Sequence, residues 1–177
     1  MSLFSGENLT RAEPASAAAA IALAGAAALI GAWIFQYGFG LPPCPLCLEQ
    51  RYAYYFAIPL AALLWLGSSH GSSRKVVLLG FGAIALAMLW NAGLGVYHSG
   101  VEWKFWPGPS DCSGPINNLG SAGSLLKQLE TIRVVRCDDA AWRFLGISLA
   151  GYNALISAAL AGLALIGLRS TMSQAPE

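Results

Sequence analysis

Four cysteines are the side chains of this 177-residue chain best suited to moving electrons in pairs, and they fall into two sets. Cys44-Pro45-Leu46-Cys47 is a CxxC at the head of an apolar run, and Cys112 and Cys137 lie further along in a polar segment. A CxxC that opens a helix places sulfur where unpaired backbone N–H groups favour a thiolate, the species that attacks or leaves in thiol–disulfide exchange. Pro45 suits the first helical position, where its missing N–H would have no partner. Arg51 stands four residues beyond Cys47, on the same helical face, and adds a permanent positive charge within reach of that sulfur. After Cys137 come two carboxylates, Asp138 and Asp139, whose field opposes a neighbouring thiolate. Structural disulfides, a zinc site and electron exchange between the two pairs all remain open from spacing alone. Against the first, a CxxC ring closes too little chain to stabilise much. Against the second, Cys112 and Cys137 are too far apart for a zinc ribbon.

The surrounding sequence demands an apolar solvent. Hydrophobic residues make up 56% of the chain and charged ones only 11%, against about 25% charged in soluble domains. The net charge of +1 offers no footprint for nucleic acid. The charges cluster, and the gaps between clusters are long enough to cross a hydrocarbon core of about 30 Å. They predict transmembrane helices over about 15–36, 45–67, 76–96 and 144–168. The first is longer than the apolar region of a leader peptide, about 7 to 15 residues, and is read as a retained span. The second carries Glu49 and Arg51 in its first two turns, which belong at the interface, and Pro59 in its middle, where a kink is expected.

The polar segment 97–143 is electrically balanced: Lys104, Lys127, Arg133, Arg136 and Arg143 against Glu102, Asp111, Glu130, Asp138 and Asp139. Its first half is rich in Pro and Gly and reads as loop. Within its second half, Leu125, Leu129 and Ile132 follow helical spacing, predicting a short amphipathic helix over Ser124 to Arg136, on the membrane surface or against the protein's own helices. The expected fold is thus an all-α membrane protein: a four-helix transmembrane bundle with one interfacial helix in its second loop. Four crossings put both termini on one side and the loops 37–44 and 97–143, with all four cysteines, on the other. Basic residues alone do not orient it, because Arg11, Arg74, Lys75 and Arg169 on one side face Arg51 and the five of the long loop. The Arg74-Lys75 pair at a helix end, together with the cysteines, favours cytoplasmic termini.

The run Cys44-Pro45-Leu46-Cys47-Leu48-Glu49-Gln50-Arg51, Tyr97-His98 at the end of the third helix, Cys112, and Cys137-Asp138 through Trp142, Arg143, Phe144, Leu145 and Gly146 resemble the DsbB family of bacterial inner-membrane disulfide-forming proteins. The resemblance spans nearly the whole chain. It implies a quinone-dependent thiol oxidase with no metal, its cysteines in the periplasm. The loop pair would re-oxidise a DsbA-like periplasmic thioredoxin-fold protein, and the CxxC pair would pass the electrons to ubiquinone or menaquinone. Residue by residue, it implies that Cys112 forms the mixed disulfide with the partner, that Cys137 attacks Cys44, and that Cys47 faces the quinone beside Arg51 and His98. Where some family members have an acidic residue before the arginine, this chain has Gln50, which leaves a proton donor to the quinone unassigned. A vitamin K epoxide reductase type is disfavoured, because its CxxC belongs to the last helix of the bundle. A non-enzymatic membrane scaffold with structural disulfides is the alternative of a different class.

Overall fold

The computed structural model describes residues 6–109 and 136–173, and it is mostly helical. Cys112 and residues 124–135 of the expected amphipathic helix fall outside this range. Helix α1 runs Gly6–Trp33 and widens into a π-helical turn over Ile34–Gly38; α2 is Pro45–Ser69, α3 Arg74–Glu102 and α4 Leu149–Ser173. Among the described residues, three stretches are long and apolar enough to cross a membrane: Glu13–Gly38, Arg74–Glu102 and Leu149–Ser173. Helix α2 is as long as α4, 25 residues, but Glu49, Gln50, Arg51 and the tyrosines at 52, 54 and 55 dilute its apolar character. The expected four spans are therefore three apolar ones and an α2 that packs against both α1 and α3.

The boundaries differ from expectation at two places. Helix α3 continues past Val96 to Glu102, carrying His98 well inside the helix. The stretch expected to open the fourth span is instead a β-hairpin, with Arg143 opposite Ser148 and Phe144 opposite Ile147. Its two-residue turn is Leu145-Gly146, both at positive φ (50° and 82°), which matches the twist of the paired strands. Ser148 ends the hairpin and caps α4, its hydroxyl accepting from the Gly151 N–H at 3.2 Å.

Small residues let the helices approach. Ala17, Ala18, Ile21, Ala57, Ala61, Phe81, Ile84, Ala85, Met88, Leu160, Ala161 and Ala164 share one buried cluster. Outward-facing Leu23, Leu79, Leu86 and Trp90 are more than two-thirds exposed, an apolar exterior that only lipid or another protein can cover. At one end, Arg74 donates to the last carbonyls of α4, Nε to Thr171 at 3.1 Å and Nη2 to Met172 at 2.6 Å, satisfying acceptors the helix cannot. The Ser170 hydroxyl donates to Glu13 Oε2 at 2.9 Å beside it. Cys44, Cys47 and Cys137 are at the other end.

The closest approach joins α3 and α4, the most extensive helix pair. A Cβ on Gly95 would lie 2.9 Å from the backbone nitrogen of Ala154, nearer than real contacts allow. Gly95→Val should force the pair apart and cost about 1–3 kcal/mol. Thermal denaturation in detergent measures this, and an unchanged midpoint would show that α3 and α4 do not pack this closely.

Candidate redox site

The site is built where three elements meet: the start of α2, the last turns of α3 and the chain leading into the hairpin. Pro45 opens α2, and Cys44 caps it, its sulfur accepting the Cys47 N–H at 3.2 Å. His98 is 2% exposed on α3, and its Nε2 lies 3.6 Å from Cys44 Sγ. The sulfurs of Cys44 and Cys47 and a ring nitrogen of His98 all lie within 4.8 Å of one another. Those two cysteines are free thiols, whereas Cys137 is disulfide-bonded, so neither of them is its partner.

The loop cysteine is nonetheless brought to the CxxC. Cys137 is 1% exposed and packs in one cluster with Cys44, Leu46 and Val101, with Cys47 and Leu94 alongside. Its backbone also reaches His98. The next residue anchors it there: Asp138 accepts from Arg136 Nη2 at 2.6 Å and from Lys104 Nζ at 2.7 Å, and Lys104 also reaches the Asp138 carbonyl at 2.6 Å. The Arg136 and Lys104 cations hold this exposed carboxyl well below the usual carboxylate range. The field of the carboxylates after Cys137 opposes a thiolate unless a partner neutralises it, and for Asp138 the partners are Arg136 and Lys104.

The two sulfurs of the CxxC face different surroundings. Cys47 lines a largely apolar cavity of about 450 Å³ that Cys44 does not reach. Its walls include Ala28, Phe35, Pro42, Leu149 and Ile156, and its polar groups include Arg51, Gln50, His98, Tyr54 and Asn153. Trp142 is stacked on Phe144, centroids 5.8 Å apart, and meets Phe35 at 5.0 Å, forming an aromatic rim. Arg51 enters this cavity with its direction set by Gln36, whose Oε1 accepts from Nη1 at 2.6 Å. The π-helical turn at the end of α1 carries Gln36 to that position. Such turns recur at functional sites because they shift the helix register locally.

Behind the cavity runs a polar chain through all three of α2, α3 and α4. His98 Nδ1 lies 2.8 Å from Gln50 Nε2, and Gln50 Oε1 accepts from Asn153 Nδ2 at 2.6 Å. Asn153 Oδ1 accepts from the Tyr54 hydroxyl at 2.7 Å, and Tyr54 also meets Ser157 at 3.2 Å. Asn91 Nδ2 donates to Ser157 Oγ at 2.9 Å. Sequence reasoning missed most of this chain, treating Gln50 only as a departure from the family pattern. The available signal was polar residues recurring inside apolar helices, which lipid cannot satisfy. It also missed Glu102, which is 7% exposed, with Oε1 3.9 Å from His98 Nε2 and Oε2 without a partner among the described residues.

Chemically, a buried histidine against a CxxC, a second cysteine packed on one of its sulfurs and an apolar cavity on the other can relay electrons by disulfide exchange. The atoms of Cys44, Cys47 and His98 are also spaced as ligands of a thiophilic cation would be. Which use the site has depends on the nitrogen of His98 that carries the proton.

Comparison with known proteins supports the first use. The family model of disulfide bond formation protein DsbB matches residues 14–167. A Disulfide bond formation protein B of Polaromonas sp. is 28% identical over 86% of this chain and 90% of its own length. Its namesake in Xanthomonas oryzae pv. oryzae is 33% identical over 72% of this chain and 74% of its own. That of Aromatoleum aromaticum is 29% identical over 72% and 76%. No solved structure matches significantly. With a cysteine cluster at one end of helices apolar enough to cross a membrane and a family match over most of its length, the chain belongs to the DsbB family of disulfide bond formation proteins, a family of membrane-bound disulfide oxidoreductases.

Proposed function

We propose that this protein re-oxidises a DsbA-like periplasmic thiol oxidase and passes the electrons through its two cysteine pairs to a membrane quinone. The observation that carries the reading is the asymmetry of the CxxC, with Cys44 packed on Cys137 and Cys47 lining the apolar cavity. In this reading Cys112 forms the mixed disulfide with the partner, and the Cys137 thiolate attacks Cys44. That step forms the Cys137–Cys44 bond and breaks Cys44–Cys47, so that Cys47 leaves as the thiolate. Its sulfur then faces the cavity, where the Arg51 guanidinium offsets its charge.

The cavity fits a quinone on two grounds: its volume lies in the range of small-molecule sites, and its apolar walls carry few polar groups near Cys47. A bound quinone supplies a two-electron sink dissolved in the lipid, which the oxidation of so oxidising a partner requires. Arg51 would hold a ring oxygen, His98 would line the wall beside it, and Trp142 with Phe35 would cover the ring and exclude water. Four crossings of a bacterial inner membrane, with α2 as the second, cytoplasmic termini and periplasmic cysteines, complete the proposal. The Arg74 cap then lies on the cytoplasmic side.

Purified protein given reduced DsbA-like partner and ubiquinone or menaquinone should consume quinone absorbance, and Cys47→Ala should abolish it. No consumption by the wild type, or an unchanged rate in the variant, defeats the proposal. Arg51→Met is expected to raise the KM for quinone about tenfold or more, with a smaller change in kcat, as loss of a charge-assisted contact does. In Cys137→Ala the free Cys112 thiolate should open the disulfide of oxidised partner and hold one of its sulfurs as a mixed disulfide, the partner's other sulfur leaving as a thiolate; a scaffold with structural disulfides would trap none.

The Asp138 anchor has a pH signature. A carboxyl held below its unfolded value stabilises above the ordinary carboxylate range, and that contribution is lost only as pH falls through the lowered value. Asp138→Asn should therefore loosen residues 136–139 equally at neutral pH and at about pH 5. Deuterium uptake of wild type and variant at matched pH reads this, and a difference that vanishes by about pH 5 would count against the anchor.

A further inference from the structure

The buried polar chain has a direction, and the direction decides what His98 does. Gln50 Nε2 lies 3.2 Å from the Leu46 carbonyl, which can only accept, so the amide nitrogen is fixed on that side. The same nitrogen lies 2.8 Å from His98 Nδ1, and the opposite end, Oε1, is taken by Asn153 Nδ2. Turning the Gln50 amide over would set its oxygen against the Leu46 carbonyl and its nitrogen against that of Asn153. Asn153 is fixed in turn: its Oδ1 accepts from Tyr54 and, at 3.5 Å, from Asn91 Nδ2. Ser157, having accepted from Asn91, has its own proton left for the Tyr54 oxygen.

Each group thus donates to the next, from Ser157 to Tyr54, Asn153, Gln50 and finally His98 Nδ1. A nitrogen that accepts holds a lone pair, so the proton of the neutral ring is on Nε2. Nε2 faces Cys44 Sγ at 3.6 Å, with Glu102 Oε1 at 3.9 Å, and the Cys137 backbone also reaches the ring.

We propose that Gln50 and Asn153 are positioning residues that hold His98 as the Nε2–H tautomer, making it a hydrogen-bond donor to the Cys44 sulfur. The inference rests on the proposed role of Cys44 as the sulfur that exchanges with Cys137. In the closing exchange the Cys112 thiolate attacks Cys137, the Cys112–Cys137 bond forms, the Cys137–Cys44 bond breaks, and Cys44 leaves as a thiolate. His98 donates a hydrogen bond to that leaving sulfur and no proton changes hands. The same tautomer withholds the lone pair that a metal ion would need at Nε2, which turns the three close donor atoms away from metal binding.

The chain has only two histidines, His70 and His98, so 15N-histidine spectra of the full-length protein in detergent are readily assigned with His70→Gln. Wild-type His98 should show a protonated Nε2 and an unprotonated Nδ1. Gln50→Glu replaces the donor facing Nδ1 with an acceptor and should move a proton onto Nδ1. Asn153→Ala, which frees the Gln50 amide, should lose the single Nε2–H pattern. A protonated Nδ1 in the wild type overturns the proposal even if neither variant folds, and so does an unchanged pattern in both folded variants. Cys44→Ala should shift the Nε2 proton resonance upfield, and His98→Ala should slow alkylation of Cys44 about tenfold; no change in either would remove Cys44 as the acceptor. Quinone consumption by the wild type is scored separately. Its absence with the expected tautomer would defeat the functional reading and leave the positioning role standing, and the reverse result would do the opposite.

Discussion

A polar side chain inside apolar helices has no water to fall back on, so it must find its partner in the protein. Asn153 is the residue through which this protein meets that demand. It accepts from Tyr54 and Asn91 and donates to Gln50, so one side chain of α4 is bonded to both α2 and α3. Apolar packing against lipid is nearly indifferent to how one helix turns about its axis, because lipid tails and leucines are alike. Hydrogen bonds with fixed directions are not. The network sets the rotation of the helices, and the rotation sets which face of the CxxC meets His98 and which meets the cavity.

The two sulfurs of the CxxC are three residues apart and chemically identical in sequence, yet they serve different spaces. As cap of α2, Cys44 is turned back toward α3, where Val101 and Cys137 close over it. Cys47, inside the first turn, is turned toward α1 and Arg51. A disulfide between them therefore joins a protein-facing compartment to an apolar one without either having to open to the other. The helix N-terminus matters for more than its field: it is the geometry that makes neighbouring residues point apart.

Much of the apolar architecture was legible because hydrophobic length is a one-dimensional property. The gaps between charges located α1, α3 and α4 but not their ends, and the resemblance around Cys44 to Arg51 and Cys137 to Gly146 pointed to the family. The end of α3 was not legible: His98 and Glu102 are polar by type, and only their burial against α2 and the hairpin makes them helical interior. The hairpin was hidden for a similar reason, since Phe144-Leu145-Gly146 reads as the start of an apolar span. Its turn requires Leu145 at positive φ, a conformation no propensity would assign to leucine. Gln50, Tyr54, Asn91, Asn153 and Ser157 are spread over more than a hundred positions, so no local pattern could join them. Cys112 and the segment expected to form the interfacial helix lie outside the described residues.

The π-helical turn at Ile34–Gly38 inserts, in effect, one residue more than a regular helix would need for the same advance. It makes the register of α1 a matter of phase. Upstream of the turn, α1 presents its small residues to α2; downstream, the phase has slipped by about 100°, one residue's rotation in a regular helix, and Gln36 comes round to meet Arg51. Packing and chemistry can thus be tuned separately along one helix. The length of α1 is free to follow the thickness of its membrane, provided that any residue gained or lost falls before the turn and not within it.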